Sequence, residues 1–175
     1  SLKGVKEGIL LEAGFDTVTP NTPLDISSWV VSYVNSANSG ISYIDNTAKG
    51  VLCYHPGFTL VEKLQTIVNK YRKDSESSEK PKNFMRQYYD VYCLLKNQEV
   101  CDFIGTDDYL AHKAARFRGA DKLIPLSEHP ALLLSDKNIR KSFEERYKST
   151  EKLYYREQPS FDVILAEIQK HVQNL

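Results

Sequence analysis

From Pro56 onward the apolar residues recur three and four apart, and this helical period constrains the chain more than any other feature of its sequence. Leu60, Val61, Leu64, Ile67, Val68 and Tyr71 fall on one helix face, because 3.6 residues per turn bring i, i+3, i+4 and i+7 together. Thr59-Leu60-Val61-Glu62 reads as a capping box at the start of that helix, hydroxyl and carboxylate each satisfying an orphan N–H. The stripe ends near Arg72, and the polar run Lys73–Lys82 reads as a loop. A second helix carries Phe84, Tyr88, Val91, Tyr92 and Leu95 on its inner face. A third starts at Thr106 or Asp107 and stops at Gly119, a good residue just past a helix end. Ile124–Leu134 is apolar but broken by Pro125 and Pro130. Asp136–Lys148 is helical through Ile139, Phe143 and Tyr147. Pro159-Ser160 opens a last helix with Phe161, Ile164, Leu165, Ile168 and Val172 turned inward.

Ahead of Pro56 the pattern differs. Val5–Phe15 reads as a short apolar strand closed by Gly14 and the turn-rich Thr17–Pro23. Asp25 or Ser27 could cap a segment through Trp29, Val30, Val31 and Val34, whose β-branched content leaves helix and strand both open. Ile41–Ile44 and Val51–Tyr54 are strand candidates separated by Asp45-Asn46 and Lys49-Gly50 turn signals. The expected fold is α+β, mostly α: part of a β lobe over residues 1–56, then a helical domain over 57–175.

Composition excludes several function classes. The 23 basic and 23 acidic residues cancel, so a nucleic-acid site would have to be a local patch. No apolar run approaches the roughly 20 residues that span a bilayer, and the N-terminus lacks the basic and apolar regions of a signal peptide. Cys53, Cys93 and Cys101 form no CxxC, which fits reduced thiols in the cytoplasm. His55, His129 and His171 are scattered without metal-ligand spacing, and there is no P-loop, GxSxG or GxGxxG. Ser1-Leu2, with the apolar run Ile9–Ala13 only a few residues on, reads as an internal start, so the chain is expected to be the C-terminal portion of a longer protein. A true start at a first strand is the alternative.

Four groups of residues could carry chemistry. Lys63 lies at the edge of the apolar stripe, with Lys70 seven residues on along the same flank; stems on apolar surface and ammonium groups at a rim suit phosphate oxygens, or else describe ordinary surface lysines. Arg86 and Asp90, four apart, form either a helical ion pair or a cleft group orienting a cation. Glu12, flanked by Leu11 and Ala13, needs water, a cation or a proton; it is a catalytic carboxylate or the outer side of an edge strand. Lys113, Arg116 and Arg118, with Tyr109 and Phe117 interleaved, make a nucleic-acid contact or a solvated helix face.

The succession TLVEKLQTI, RQYYDVYCLL and FEERYKSTEKLYYREQPSFDVILAEIQ resembles the nucleotidyltransferase AbiEii/AbiGii toxin family of type IV toxin–antitoxin systems. Pro56, Thr59, Glu62, Lys63 and Leu64 match its P-x-x-T-x-x-E-K-L helix. Arg86, Tyr89, Asp90, Tyr92 and Leu94 match its R-[DH]-x-Y-D-L-Y-x-L helix, and Leu153, Tyr154, Tyr155, Pro159, Ser160 and Phe161 its C-terminal pattern. The resemblance implies a remnant of a nucleotidyltransferase sheet in front of a helical bundle, and a parent enzyme moving a nucleotide from an NTP to an acceptor such as tRNA. It implies Lys63 at the triphosphate, with Lys70 and Arg86 beside it, Asp90 in an acidic motif and Glu12 as accessory carboxylate. It also implies Mg²⁺ and a cognate antitoxin. Two departures stand out: Gln87 replaces the first Asp of a D-x-x-D motif, and the family's Gly-Ser motif and D-x-D metal pair are missing from the sequence. The chain alone is therefore expected to be inactive. The competing reading is a non-catalytic helical module that binds RNA or protein.

Overall fold

The computed structural model describes residues 20–37, 40–81, 83–151, 154 and 158–175. Glu12 and the strand expected over Val5–Phe15 lie outside the described residues, as do Leu153 and Tyr155. The architecture is mostly helical with a two-stranded antiparallel sheet among the described residues.

Strands β1 (Asn21–Ile26) and β2 (Ala48–Tyr54) pair with Asn21 opposite Tyr54 and Leu24 opposite Val51, with an irregularity between Leu24 and Ile26. β1 corrects the loop expected through Pro23. With two strands each is an edge, so a proline can turn its missing N–H away from the ladder. Helix α1 (Trp29–Ser36) settles the balanced segment as helix, and its cap is Ser28, whose hydroxyl accepts from Val31 N at 3.2 Å. Asp25, one of the expected caps, instead accepts from Lys49 Nζ at 3.0 Å and Gly50 N at 3.1 Å across the strand pair. Ile41–Ile44 forms no strand; the turn after it is held by Asp45, which accepts from Thr47 N.

The spine of the body is α2 (Pro56–Glu76), about 31 Å long at 1.5 Å per residue. It starts three residues before the expected capping box. Pro56 pre-sets the first helical φ, and His55 Nδ1 accepts from Gly57 N at 3.0 Å, so His55 is the cap and Thr59 is already helical. At the other end α2 continues past Arg72. Its last turn is held by Asp74, which accepts from Arg146 at 2.8 Å and Lys80 at 3.2 Å.

Around α2 lie α3 (Phe84–Leu95), α4 (Gln98–Phe103), α5 (Asp107–Arg116), the short α6 (Pro130–Leu133), α7 (Lys137–Lys148) and α8 (Phe161–His171). The third helix therefore stops at Arg116; Gly119, with φ 54, begins a 3₁₀ turn instead. α3 packs against both α2 and α8, so it sits at the centre. The buried core runs along the α2 stripe to Phe84, Tyr88 and Val91 of α3 and to Phe161, Ile164, Leu165 and Ile168 of α8, as the periodicity predicts. Tyr88, fully buried, donates to Ala131 O at 2.8 Å; burial pushes its hydroxyl well above its usual pKa, so it remains a donor. Gly57 allows α4 to approach α2: a Cβ there would collide with the Phe103 ring. Among the described residues no helix is long and apolar enough to cross a membrane, and the three cysteines are free.

Candidate functional site

Two neighbouring residues of α2 point to different helices, because successive positions are 100° apart. Glu62 reaches α5, where its Oε1 accepts from Arg116 at 2.7 Å and lies 3.5 Å from His112 Nε2. Lys63 reaches α3, where its Nζ donates to Asp90 Oδ2 at 2.8 Å. The Lys63 and Asp90 side chains are 31% and 35% exposed, so the pair sits at the lip of the α2–α3 seam, in contact with solvent. An ion pair this open contributes only about 0–1 kcal/mol to stability. The ammonium has three N–H donors, of which Asp90 takes one.

Lys70 stands two turns further along the same flank of α2. Burial, and then the charges of Lys63 and Lys73, hold its ammonium below the ordinary lysine pKa. Lysines at positions 63, 70 and 73 of one helix make a local concentration of positive charge in a chain of zero net charge, suited to a polyanion. Arg86 is exposed on α3 one turn before Asp90. The expected Arg86–Asp90 helical pair is not what forms: the Asp90 oxygen goes to Lys63, and among the described residues no ion pair of Arg86 is found.

Other faces of the same turn of α3 meet residues of the C-terminal motif. Tyr89 meets the Tyr154 ring edge-on at 4.5 Å, and Tyr88 meets Phe161 at 5.4 Å. Two segments distant in sequence thus share α3 as their common support: α2 through Lys63, and Tyr154 and Phe161 through aromatic rings.

A model of the nucleotidyl transferase AbiEii toxin of type IV toxin–antitoxin systems matches residues 3–167. The chain belongs to the AbiEii toxin family. No curated protein and no solved structure matches it. Family membership makes it a nucleotidyltransferase-like toxin, from systems that pair each AbiEii toxin with an antitoxin. In this AbiEii chain the matched motif residues Lys63 and Asp90 are in direct contact, although 27 positions separate them.

The basic stretch does not gather into one solvent-facing patch. Lys113 is half-buried; its Nζ donates to Leu175 O at 2.7 Å and lies 5.6 Å from the centre of the Tyr109 ring. Arg116 is turned to Glu62. Arg118 is exposed and its Nε donates to Ala115 O.

The motif resemblance carries the expectation of a magnesium ion. Among the described residues no group of three or more His, Cys, Asp or Glu side chains could hold a metal, and the Asp90 oxygen already faces an ammonium.

Sequence reasoning passed over Asp121. This carboxylate is 6% exposed and accepts from Gln65 at 3.2 Å, Asn69 at 3.3 Å and Arg72 at 3.1 Å. The signal was present in α2, where Gln65, Asn69 and Arg72 stand at i, i+4 and i+7: a stripe of donors beside the apolar stripe needs an acceptor. The repeated His-Pro dipeptide was a second missed signal. His129 Nδ1 accepts from Ala131 N at 3.1 Å just as His55 accepts from Gly57, so both histidines cap helices.

Proposed function

We propose that the AbiEii chain supplies the triphosphate-holding half of a nucleotide transfer from an NTP to an acceptor such as the 3′ end of tRNA. The observation that supports this most is the Lys63–Asp90 contact at the open lip of the α2–α3 seam. Asp90 fixes the ammonium without using all its donors, so Lys63 can meet a phosphate oxygen with little reorganisation. Lys70 extends the positive field along the same flank, and exposed Arg86 lies within one helical turn of Asp90. Lys63 acts as a point charge that offsets negative charge on the phosphates as the α-phosphate is attacked. The carboxylates for the metal would come from the segment that carries the family's Gly-Ser and D-x-D motifs, with Glu12 as an accessory group. The toxin acts in the cytoplasm on an acceptor such as tRNA, and the cognate antitoxin holds the toxin in check.

Triphosphate binding tests this reading directly. Lys63→Met is expected to weaken NTP binding about tenfold or more, the worth of one charge-assisted contact, and Asp90→Asn to weaken it less. Equal binding by wild type and Lys63→Met sinks the assignment. With Mg²⁺, labelled NTPs and tRNA, the chain alone is expected to bind nucleotide only weakly and to transfer no label. Robust transfer would show that its own residues complete the metal site.

The second reading, a helical binding module, is favoured by the neutralisation of Lys63 by Asp90. It predicts that Lys63→Met changes neither NTP binding nor, beyond about 1 kcal/mol, stability.

A further inference from the structure

The last turns of α2 and the first turns of α7 leave a space between them. α7 packs on α3 and α8, and toward α2 it sends Phe143, which meets the Tyr71 ring edge-on at 6.0 Å. Beside that contact lies a cavity of about 390 Å³, large enough for one small organic molecule. On α7, Ile139 and Phe143 turn apolar surface to it, while Asn138 and Ser142, four apart, bring an amide and a hydroxyl to its edge. On α2, Tyr71 and Ser75 line the facing wall. The Ser75 hydroxyl is committed to Tyr71 O and Arg72 O. For the side chains of Tyr71, Asn138 and Ser142 no hydrogen bond is found among the described residues. Burial, and then the charges of Asp136 and Asp74, hold the Tyr71 hydroxyl above its ordinary pKa, so it stays a donor.

Both charged residues of the lining are already matched. Asp74 accepts from Arg146 at 2.8 Å through one oxygen and from Lys80 at 3.2 Å through the other. Lys80 also donates to the Asp74 backbone carbonyl at 2.9 Å. An ionic ligand of either sign would have to break these pairs. A wholly apolar ligand would strand the amide and the hydroxyls away from water. What fits is an uncharged ring with apolar faces and hydrogen-bonding edges, and a nucleobase has that character. An asparagine amide, with donor and acceptor side by side, matches N6 and N7 of adenine.

We propose that this cavity holds a nucleobase, adenine before the others, set against Ile139, Phe143 and Tyr71 with its edge met by Asn138 and Ser142. The choice of a nucleobase among flat neutral rings rests on the nucleotidyl-transfer reading above. Asp74 lies on the same flank of α2 as Lys63 and Lys70, about 16 Å along the axis from Lys63. The base is therefore that of the NTP or of an unpaired nucleoside in the acceptor.

Adenosine, which carries no phosphate, is titrated into the chain by calorimetry and followed by the amide resonances of the protein. Saturable binding is expected, tighter than that of uridine, with the largest resonance shifts in residues 71–75 and 138–143. Asn138→Leu is expected to weaken it about tenfold, the worth of one bidentate base contact, and Ser142→Tyr to abolish it by filling the cavity. Both positions are exposed, and unchanged thermal melts by circular dichroism confirm that each variant folds. Lys63→Met should leave adenosine binding as in wild type, so this proposal and the triphosphate reading fail separately. Adenosine excluded by saturating ATP, with ATP itself weakened by Asn138→Leu, would identify the base as the NTP's own. Adenosine that still binds beside ATP would identify it as the acceptor's. The proposal is overturned if adenosine does not bind saturably, if Asn138→Leu binds it as wild type does, or if the largest shifts lie outside these two stretches.

Discussion

Residues 21–54 and residues 56–175 obey the same local rules and end in opposite states. Both contain capped helices, ion pairs between residues distant in sequence and apolar residues at regular spacing. Among the described residues of the first region none is buried: Trp29 is 74%, Leu52 68% and Ile44 91% exposed. Among the described residues every buried apolar side chain belongs to the second, from Phe58 onward. Regular secondary structure needs only backbone hydrogen bonds, whereas stability needs apolar surface removed from water, and a lone two-stranded sheet is marginal by itself. The first region is thus a layer with an uncovered apolar face; the second is a core with its own cover.

The sharpest way to break this contrast is to truncate one large side chain in each region. Phe161, 1% exposed and packed on Tyr88 and Tyr147, is expected to cost about 3–5 kcal/mol as Phe161→Ala. Leu52→Ala is expected to stay within about 0.5 kcal/mol. Urea midpoints measure both; a large loss from Leu52→Ala would show that residues 21–54 are coupled to the core after all.

Within the second region, two aspartates make a finer contrast. Asp121→Ala removes a buried acceptor from Gln65, Asn69 and Arg72 and is expected to cost about 2 kcal/mol. Asp90→Ala breaks a solvent-facing pair and is expected to cost less than about 1 kcal/mol. Thermal or urea unfolding of the two variants decides. If Asp90→Ala proves the costlier, Lys63 and Asp90 are a structural clamp and their reading as a phosphate site is weakened.

Much of the second region was legible because its signals are local and repeated. The α2 stripe, the α3 face and the Ser160–Val172 helix each span three or more turns, long enough for period 3.6 to show. Six-residue α4 buries Val100 alone, too little for any period, and it went unread. Thr59 and Glu62 fit a capping box, but Pro56 and His55 start the helix earlier and release Glu62 to Arg116, 54 residues away. The candidate site was half legible for the same reason. The flank on which Lys63 sits follows from the helical wheel. Its partner does not: Asp90 is a non-local neighbour, and the local pairing with Arg86 was the one suggested. In residues 21–54 the turn chemistry of Pro20 and Pro23 masked β1, because a two-stranded sheet tolerates proline where a wider one would not.

Two serines sharpen the regional contrast at constant chemistry. Ser28 and Ser160 each accept from the backbone N–H three residues on, Val31 at 3.2 Å and Val163 at 3.3 Å. Ser160→Ala is expected to lower global stability by about 1 kcal/mol, since α8 unfolds with the core. Ser28→Ala should leave the global midpoint unchanged and speed amide hydrogen exchange in α1 alone. Equal shifts in the midpoint would mean that the two regions unfold as one.

The smallest effect separates the regions by pH. His129 is 7% exposed and accepts from Ala131 N through Nδ1. Burial lowers its pKa below the ordinary 6.5, and the nearby charge of Asp121 opposes that shift without cancelling it. A histidine kept neutral by the fold lets the unfolded chain bind the extra proton. Stability from this source is therefore complete above pH 6.5 and declines as pH falls below it, until the folded state also protonates. Residues 21–54 contain no histidine; their shifted acids, Asp25 and Asp45, have pKa values lowered from 3.8 by Lys49 and Thr47. Any contribution from those acids persists to lower pH and fades only below about 3.8. Urea midpoints compared at pH 7.5 and 5.5 should fall less in His129→Asn than in wild type, because asparagine caps the helix without titrating. An equal fall in both proteins would place the acid-sensitive group elsewhere.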